Sequence, residues 1–531
     1  MGVPKWTPAN EVTMREAYLL KRLQRTKKLF RFLREHRLDL FDDAFQVELA
    51  SMYRSTDEGK EPVPPAQVAM ALLLQAYTGS SDAEAIENMV VDARWRMVLG
   101  LLGPEEDGPP FSQGTLQRFR ERLIAHDLDR RLLERTVELA KKTRGFDFKK
   151  LPKTVRLAVD SRPLTGAGRV EDTFNLLGHA ARKLLTCAAA VADMAPQELA
   201  DVVGAPALHA SSLKRGLDID WNDPEQKAQA IKKLVEQIDR LETWVQQELE
   251  DAAEEPPLCE LLATLAQLRE QDLEPDPEGG GPRIRKGTAE DRRISIEDPD
   301  MRHGRKSKST TIKGYKSHLA ADLDMKLIVA CNITPANRPE AEALPGLLED
   351  LGRYSERNEV GALHIDRGYV ASDTVRDLAA KKVPIVAKPW RPHQSEVFDK
   401  SAFKLDLARF TITCPAGQTE KIRLGTVVRF SPSACDPCPI RSRCTKTALG
   451  KGRSVTIAAD ERLQKKLRLR LATPAGREQL RERVEIEHRL SHHTRKQGHK
   501  ARYRGLRKNL FDTRRHATIV NLEQLQLAEA A

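Results

Sequence analysis

Residues 314–389 set the tightest limit on the fold, because two apolar runs, a helix, a strand, a helix and a strand follow one another without a break. "GYKSHLAADLD" (314–324) and "KLIVACNIT" (326–334) meet at a turn around Asp324 and Met325, the pattern of an antiparallel hairpin. "PEAEALPGLLEDL" then reads as helix, "GALHIDRGYV" as strand, "SDTVRDLAAK" as helix and "VPIVAKP" as strand. One more strand, "VRLAVDSRPL", stands far upstream from residue 155 and ends its apolar run in an acid.

This order is that of a ribonuclease H-like α/β core interrupted after its first strand. The rest of the 531-residue chain divides around it. Residues 1–150 read as an all-helical, DNA-binding module, with "VAMALLLQAYTG" its most apolar helix. Ser81, and Ser112 or Thr115, are candidate N-caps within it. Residues 151–204 hold the first part of the core, and 205–287 a charged helical insertion and linker that ends in "EPDPEGGGPRIRKG". The second part of the core follows in 288–407, a cysteine-bearing insertion in 408–450, and helices again in 451–531.

The chain carries 88 Lys+Arg against 77 Asp+Glu, a net charge of +11, and such a balance suits a polyanionic partner. The charge is concentrated in 21–37, "KRLQRTKKLFRFLREHR", and in 495–515, where nine basic residues face one acid with Tyr503 and Phe511 between them. The first concentration fits a solvated helix face equally well. The density of the second favours phosphate contacts. No apolar run reaches membrane-spanning length, and the start lacks a signal-peptide pattern, so a bacterial cytoplasmic protein is expected, nucleoid-associated when bound to DNA.

Asp160 closes the apolar run "VRLAV" and Asp366 closes "ALHI". Either acid alone could start a turn. Two of them on neighbouring strands would face one crevice and offer the hard oxygen donors that Mg²⁺ or Mn²⁺ requires. A third carboxylate is sought in "RERVEIEHRLSHH" (481–493), which contains Glu482, Glu485 and Glu487. A helical wheel puts Glu487 on a face with Leu480, Val484 and Leu490, while Glu482 and Glu485 point to solvent. A carboxylate on an apolar face needs a cation, either a metal ion or the neighbouring Arg483.

Cys414, Cys435, Cys438 and Cys444 have the number and knuckle-like spacing of a tetrahedral Zn²⁺ site, with four free thiols as the alternative. Cys187, Cys259 and Cys331 are isolated. His488 and His492 lie four apart with no Glu after the first, which is no zincin motif.

Taken together, these residues resemble the DDE transposases of bacterial insertion sequences, in particular insertion sequence family 1182. The resemblance rests on "PPAQVAMALLLQAYTGSSDAEAIENMVVDARWRMVLGL", "AVDSRPLTGAGRVEDTFNLLGHAARKL", "DPDMRHGRKS" with "GYKSHLAADLDMKLI", "NITPANRPEAEAL", "HIDRGY", and "RVEIEHRL" with "ARYRGLRKN". It implies that Asp160, Asp366 and Glu487 form a catalytic triad holding two Mg²⁺ or Mn²⁺ ions. Such a site cuts element ends and joins the freed 3′-OH to target DNA. Related enzymes show Y-(2)-R-(3)-E-(6)-K around the glutamate. Here Arg483 and Glu487 keep their spacing, but Leu480 stands at the Tyr position and Thr494 at the Lys position, so that Arg495 or Lys496 would substitute. Phosphate contacts are expected from Arg302, Arg305, Lys306, Arg483, Arg502, Arg504, Arg507 and Lys508, and a homodimeric synaptic complex on double-stranded DNA is implied. A ribonuclease H-like nuclease or resolvase without joining, and a zinc-containing DNA-binding regulator, are the alternatives.

Overall fold

The computed structural model describes residues 2–23, 28–54, 61–103, 108–277, 279–305, 309–354, 356–390 and 396–530. Lys306 lies outside the described residues. Among them, the central sheet is built from β1 (Val155–Thr165), β2 (Arg302–Arg305), β3 (Thr311–Asp322), β4 (Leu327–Pro335), β5 (Val360–Ile365) and β6 (Ile385–Val386). β3 pairs antiparallel with β1 and with β4, and β2 joins its first residues, Thr311–Gly314. β5 and β6 continue on the far side of β1 as parallel neighbours. Leu157, Ala158 and Val159 are fully buried, which explains why β1 begins as an unbroken apolar run rather than an alternating one.

β1 does not stop at Asp160. Its parallel partner β5 ends at the pair Val159↔Ile365, but β3 runs alongside from Leu157 to Thr165 and keeps the ladder going. Asp160 is therefore inside a strand rather than at its end. The "MRHGRKS" segment, expected to contact phosphates, contributes an edge strand, β2. Gly304 in it lies so close to the Ala336 carbonyl that a Cβ would come within 2.0 Å of the oxygen.

Among the described residues, eight helices between Met14 and Ala140 make up the N-terminal region. Ser81 caps the helix Asp82–Val91 in a reciprocal box with Glu84, and Ser112, not Thr115, caps Gln113–Ala125. These helices have no separate core. Phe30, Leu72, Trp95 and Phe119 belong to one apolar cluster with Val155, Leu157, Leu363 and Ile365 of the sheet.

The helical insertion begins earlier than its charge pattern suggests. The helix Thr173–Val191 buries Leu177, Ala181, Leu184 and Ala188 with Leu234, Ile238, Leu241, Leu265 and Leu268, and so shares the core of the insertion, not that of the sheet. This insertion is consequently more than a solvent-facing excursion. The cysteine-bearing unit likewise reaches past both expected boundaries, since Phe403, Leu407, Ile412, Phe430, Val455 and Ile457 share one small core.

The C-terminal helix Leu506–Ala530 packs on β4 and on the helix Leu128–Ala140, and ion pairs lock it in place. Arg514 reaches Asp127 at 2.7 Å, Asp129 at 3.1 Å and Asp350 at 2.9 Å, and Arg507 adds a second guanidinium on Asp129. Arg502 and Arg120 both bond Asp82. Among the described residues, no helix is long and apolar enough to cross a membrane.

Because Asp129 and Asp350 are almost fully buried, removal of Arg514 leaves charges that neither water nor another cation compensates in full. We expect Arg514→Met to lower unfolding stability by about 3–5 kcal/mol, measured in urea. Arg495→Ala, at an exposed position of the neighbouring helix, should change it by less than about 0.5 kcal/mol.

Candidate active site

Asp160 and Asp366 are brought together by strand register. Val159 and Ile365 are the last residues of the parallel pair, so the two aspartates follow them side by side on adjacent chains. Asp160 is largely withdrawn from water, and its own strand serves it, as the Ser161 amide donates to Oδ1 at 2.8 Å. Burial pushes the Asp160 carboxyl up to about 6, and the charges of Asp366 and Glu340 act in the same direction, while Arg483 and the Ser161 amide oppose them.

Glu487 arrives from the first turn of the helix Val484–Gln497. Its link to Asp160 is Arg483, whose guanidinium donates to Glu487 Oε1 at 2.8 Å and to Asp160 Oδ2 at 3.3 Å. The side chain is not on the buried face. Glu487 is 52% exposed, and the inward positions are Ile486, Leu490 and His493. The helical wheel fails because Leu480 belongs to a different helix, Pro474–Arg481, and the chain turns at Glu482 and Arg483 before the next one starts. Its phase cannot be carried across that turn. Glu482 and Glu485 are also less free than the wheel suggests: Glu482 pairs with Arg156, and Glu485 with Arg489 at 2.9 Å.

The acids are backed by a hydrogen-bond chain that the sequence motifs do not reveal. Ser161 Oγ donates to Glu340 Oε1 at 2.5 Å, in a short turn that follows β4. Tyr369, buried three residues past Asp366, places its hydroxyl 2.7 Å from His318 Nδ1, and the other ring nitrogen of His318 lies 2.9 Å from Thr334 Oγ1. Burial holds His318 down at about 3, so the ring stays neutral and can take a proton at one nitrogen while giving one at the other. His318, Glu340 and Tyr369 come from "GYKSHLAADLDMKLI", "NITPANRPEAEAL" and "HIDRGY", three of the segments on which the resemblance rests. The available signal is an acid just past a sheet strand, in line with the two aspartates.

The donor set consists of oxygens, and the charges of Asp366 and Glu340 bear on Asp160 against the guanidinium of Arg483; these properties fit a hard divalent cation. As the side chains stand, no group of three or more His, Cys, Asp and Glu among the described residues is gathered closely enough to hold an ion. The four cysteines are free thiols that line one small cavity of about 30 Å³ with Phe430 and Arg453. The Gln418 amide donates to Cys414 Sγ at 3.3 Å. Burial and the neighbouring thiols push Cys444 up, an environment that a bound cation would relieve. Soft sulfur donors in this number suit Zn²⁺.

The expected phosphate contacts separate into two groups. Arg302 is tied to Asp291, Lys496 to Glu523, Arg502 to Asp82, Arg504 to Glu297 and Arg507 to Asp127 and Asp129. Arg305, Arg495 and Lys508 are exposed, and so are Arg502 and Arg504 despite their ion pairs. His493 is buried, with Nε2 on the Thr513 carbonyl.

Two family models match the chain. One, described as "Transposase DDE domain", covers residues 410–526, and the other, described as "Transposase domain", covers residues 20–122. The first includes Glu487 and the four cysteines but neither aspartate. No curated protein and no solved structure matches.

A carboxyl with a higher pKa in the folded than in the unfolded chain binds its proton more tightly when folded. The stability it contributes is lost as pH rises from about 4 through about 6. Without added Mg²⁺ or Mn²⁺, Asp160→Asn is therefore expected to melt above the wild type near pH 8, with the gap closing toward about pH 4. A difference that does not vary with pH would contradict the charge balance described here.

Proposed function

We propose that the chain is a DDE-type transposase of the insertion sequence family 1182 type, which acts on DNA by cutting element ends before joining the 3′-OH to target DNA; the two transposase family models that match it support this reading. The observation that carries this reading is the register of β1 and β5, which sets Asp160 beside Asp366, with Glu487 tied to Asp160 through Arg483. The strand order β4-β3-β1-β5-β6, antiparallel up to β1 and parallel beyond it, with β2 paired to the start of β3, supports a ribonuclease H-like core.

In this reading Asp160, Asp366 and Glu487 hold two Mg²⁺ or Mn²⁺ ions. The chemistry such ions supply when bound is activation of water or a 3′-hydroxyl and relief of charge on the phosphoryl oxygens. Asp160 and Asp366 bring fixed carboxylates on a rigid sheet. Glu487 comes from a separate helix and an exposed position, so it can adjust as substrate enters. Arg483 neutralises the acids in the free chain and turns to a DNA phosphate when cations replace it. Arg305, Arg495 and Lys508 contact the DNA backbone directly, while Arg302, Lys496, Arg502, Arg504 and Arg507 hold the surface that presents them. Lys306 joins the first group on sequence grounds alone. The four cysteines hold one structural Zn²⁺, which cross-links the turn at Cys414 to the 435–444 segment. Two copies act together on paired element ends.

The decisive experiment is Mg²⁺-dependent cleavage and joining of a DNA carrying the element ends. Asp160→Ala, Asp366→Ala and Glu487→Ala should each lower both steps by more than about 100-fold. Cleavage without joining would make the chain a nuclease, and full activity in all three variants would refute the triad. Metal analysis of the purified protein should find about one zinc per chain, largely lost in Cys438→Ser.

A further inference from the structure

We propose that Glu340 is a fourth carboxylate of the divalent-cation centre, held in place by Ser161. The inference rests on the metal-dependent reading above and assigns a role to a residue outside the Asp160, Asp366 and Glu487 set.

Glu340 occupies the turn Glu340–Ala343 directly after β4, on the side of the sheet where β1 and β5 present their aspartates. Each of its oxygens is placed by one of those two chains. Oε1 accepts from Ser161 Oγ at 2.5 Å, and Ser161 is the residue whose amide also holds Asp160 Oδ1. Oε2 lies over Gly368, two residues past Asp366, so close that a Cβ there would stand 1.9 Å away. The carboxylate occupies the space a side chain at 368 would fill, so any larger residue there would push it aside. The glutamate is thus wedged between the Asp160 and Asp366 strands, whereas Glu487 stands exposed with Arg483 between it and Asp160.

A structural role alone explains this poorly. Seating a third negative charge beside two others raises the electrostatic cost of the free site, and a hydroxyl bond from Ser161 offsets only part of it. The Lys316 ammonium attracts Glu340 but makes its hydrogen bond to the Arg338 carbonyl at 2.6 Å, so it offsets only part of that cost. A divalent cation would remove the repulsion by drawing Asp160, Asp366 and Glu340 together as oxygen donors on one side, with Glu487 closing from the helix. Ser161 is a positioning residue in this scheme, since it aims Glu340 and Asp160 from adjacent backbone positions.

The test is Mn²⁺ binding to the full-length protein, followed by the paramagnetic signal of the free ion, with thermal melting in parallel. Glu340→Gln should bind Mn²⁺ at least tenfold more weakly than wild type, while its melting temperature without Mn²⁺ is equal or higher. Ser161→Ala, which leaves the carboxylate in place but unaimed, should weaken binding severalfold, and Glu340→Asp should recover part of the loss. If Glu340→Gln and Ser161→Ala bind within twofold of wild type while Asp160→Asn and Asp366→Asn lose binding, the role given to Glu340 is overturned and the triad stands. If the two aspartate variants also bind as wild type does, the metal reading itself fails, and this inference with it.

Discussion

The parallel pairing of β1 with β5 is the constraint on which the functional geometry depends. Slippage by one residue would turn every side chain of a strand to the opposite face of the sheet. Burial of Leu157, Val159, Leu363 and Ile365 makes such a slip costly, because apolar side chains would exchange places with Asp160 and Asp366. The register is therefore fixed by the hydrophobic effect, although what it positions is charge. β3 reinforces it from the other side by pairing with β1 from Leu157 to Thr165, straight past the aspartate.

A second constraint joins the ends of the chain. The basic segment 495–515 looks like a surface for polyanions, yet several of its cations are used within the protein. Arg502, Arg507, Arg514 and Arg515 bond to Asp82, Asp127, Asp129, Asp350, Asp512 and Gln75, and Gly505 donates to Asp298, which also accepts from Tyr315. Motifs far apart in sequence, "DPDMRHGRKS" and "ARYRGLRKN", meet at that last contact. Exposed Arg495 and Lys508 lie in the same segment as these pairs. The N-terminal helices, the sheet and the last helix form one body, because they share an apolar core and these ion pairs cross it.

Several features are legible in the amino-acid order alone. Asp160 and Asp366 stand out because each ends a short apolar run, which is what a buried strand next to a crevice looks like. The hairpin of 314–334 and the helices after it follow from periodicity. Other features are hidden for identifiable reasons. Asp160 falls inside β1 because a ladder continues wherever a neighbour offers hydrogen bonds, and that neighbour, β3, lies far along the chain. The helix Thr173–Val191 has an apolar face that would suit either core, and its partners Leu234, Ile238 and Leu265 decide which one it joins. Glu487 is singled out by a wheel that crosses a break between helices. The residue is exposed and bridged to Asp160 by Arg483 rather than buried. Glu340 carries no periodic signal at all.

The sequence by itself determined what acts over a few residues: which segments are strands or helices, that Ser81 starts one of them, which acids follow apolar runs, and that four cysteines cluster within 414–444. Tertiary structure alone decided which acids meet, which arginines are free, and where the insertion ends. The physical reason is range. Periodicity and capping depend on neighbours one turn away, whereas an ion pair such as Arg514 with Asp129, or the wedge of Glu340 against Gly368, depends on residues brought together only by burying a common core.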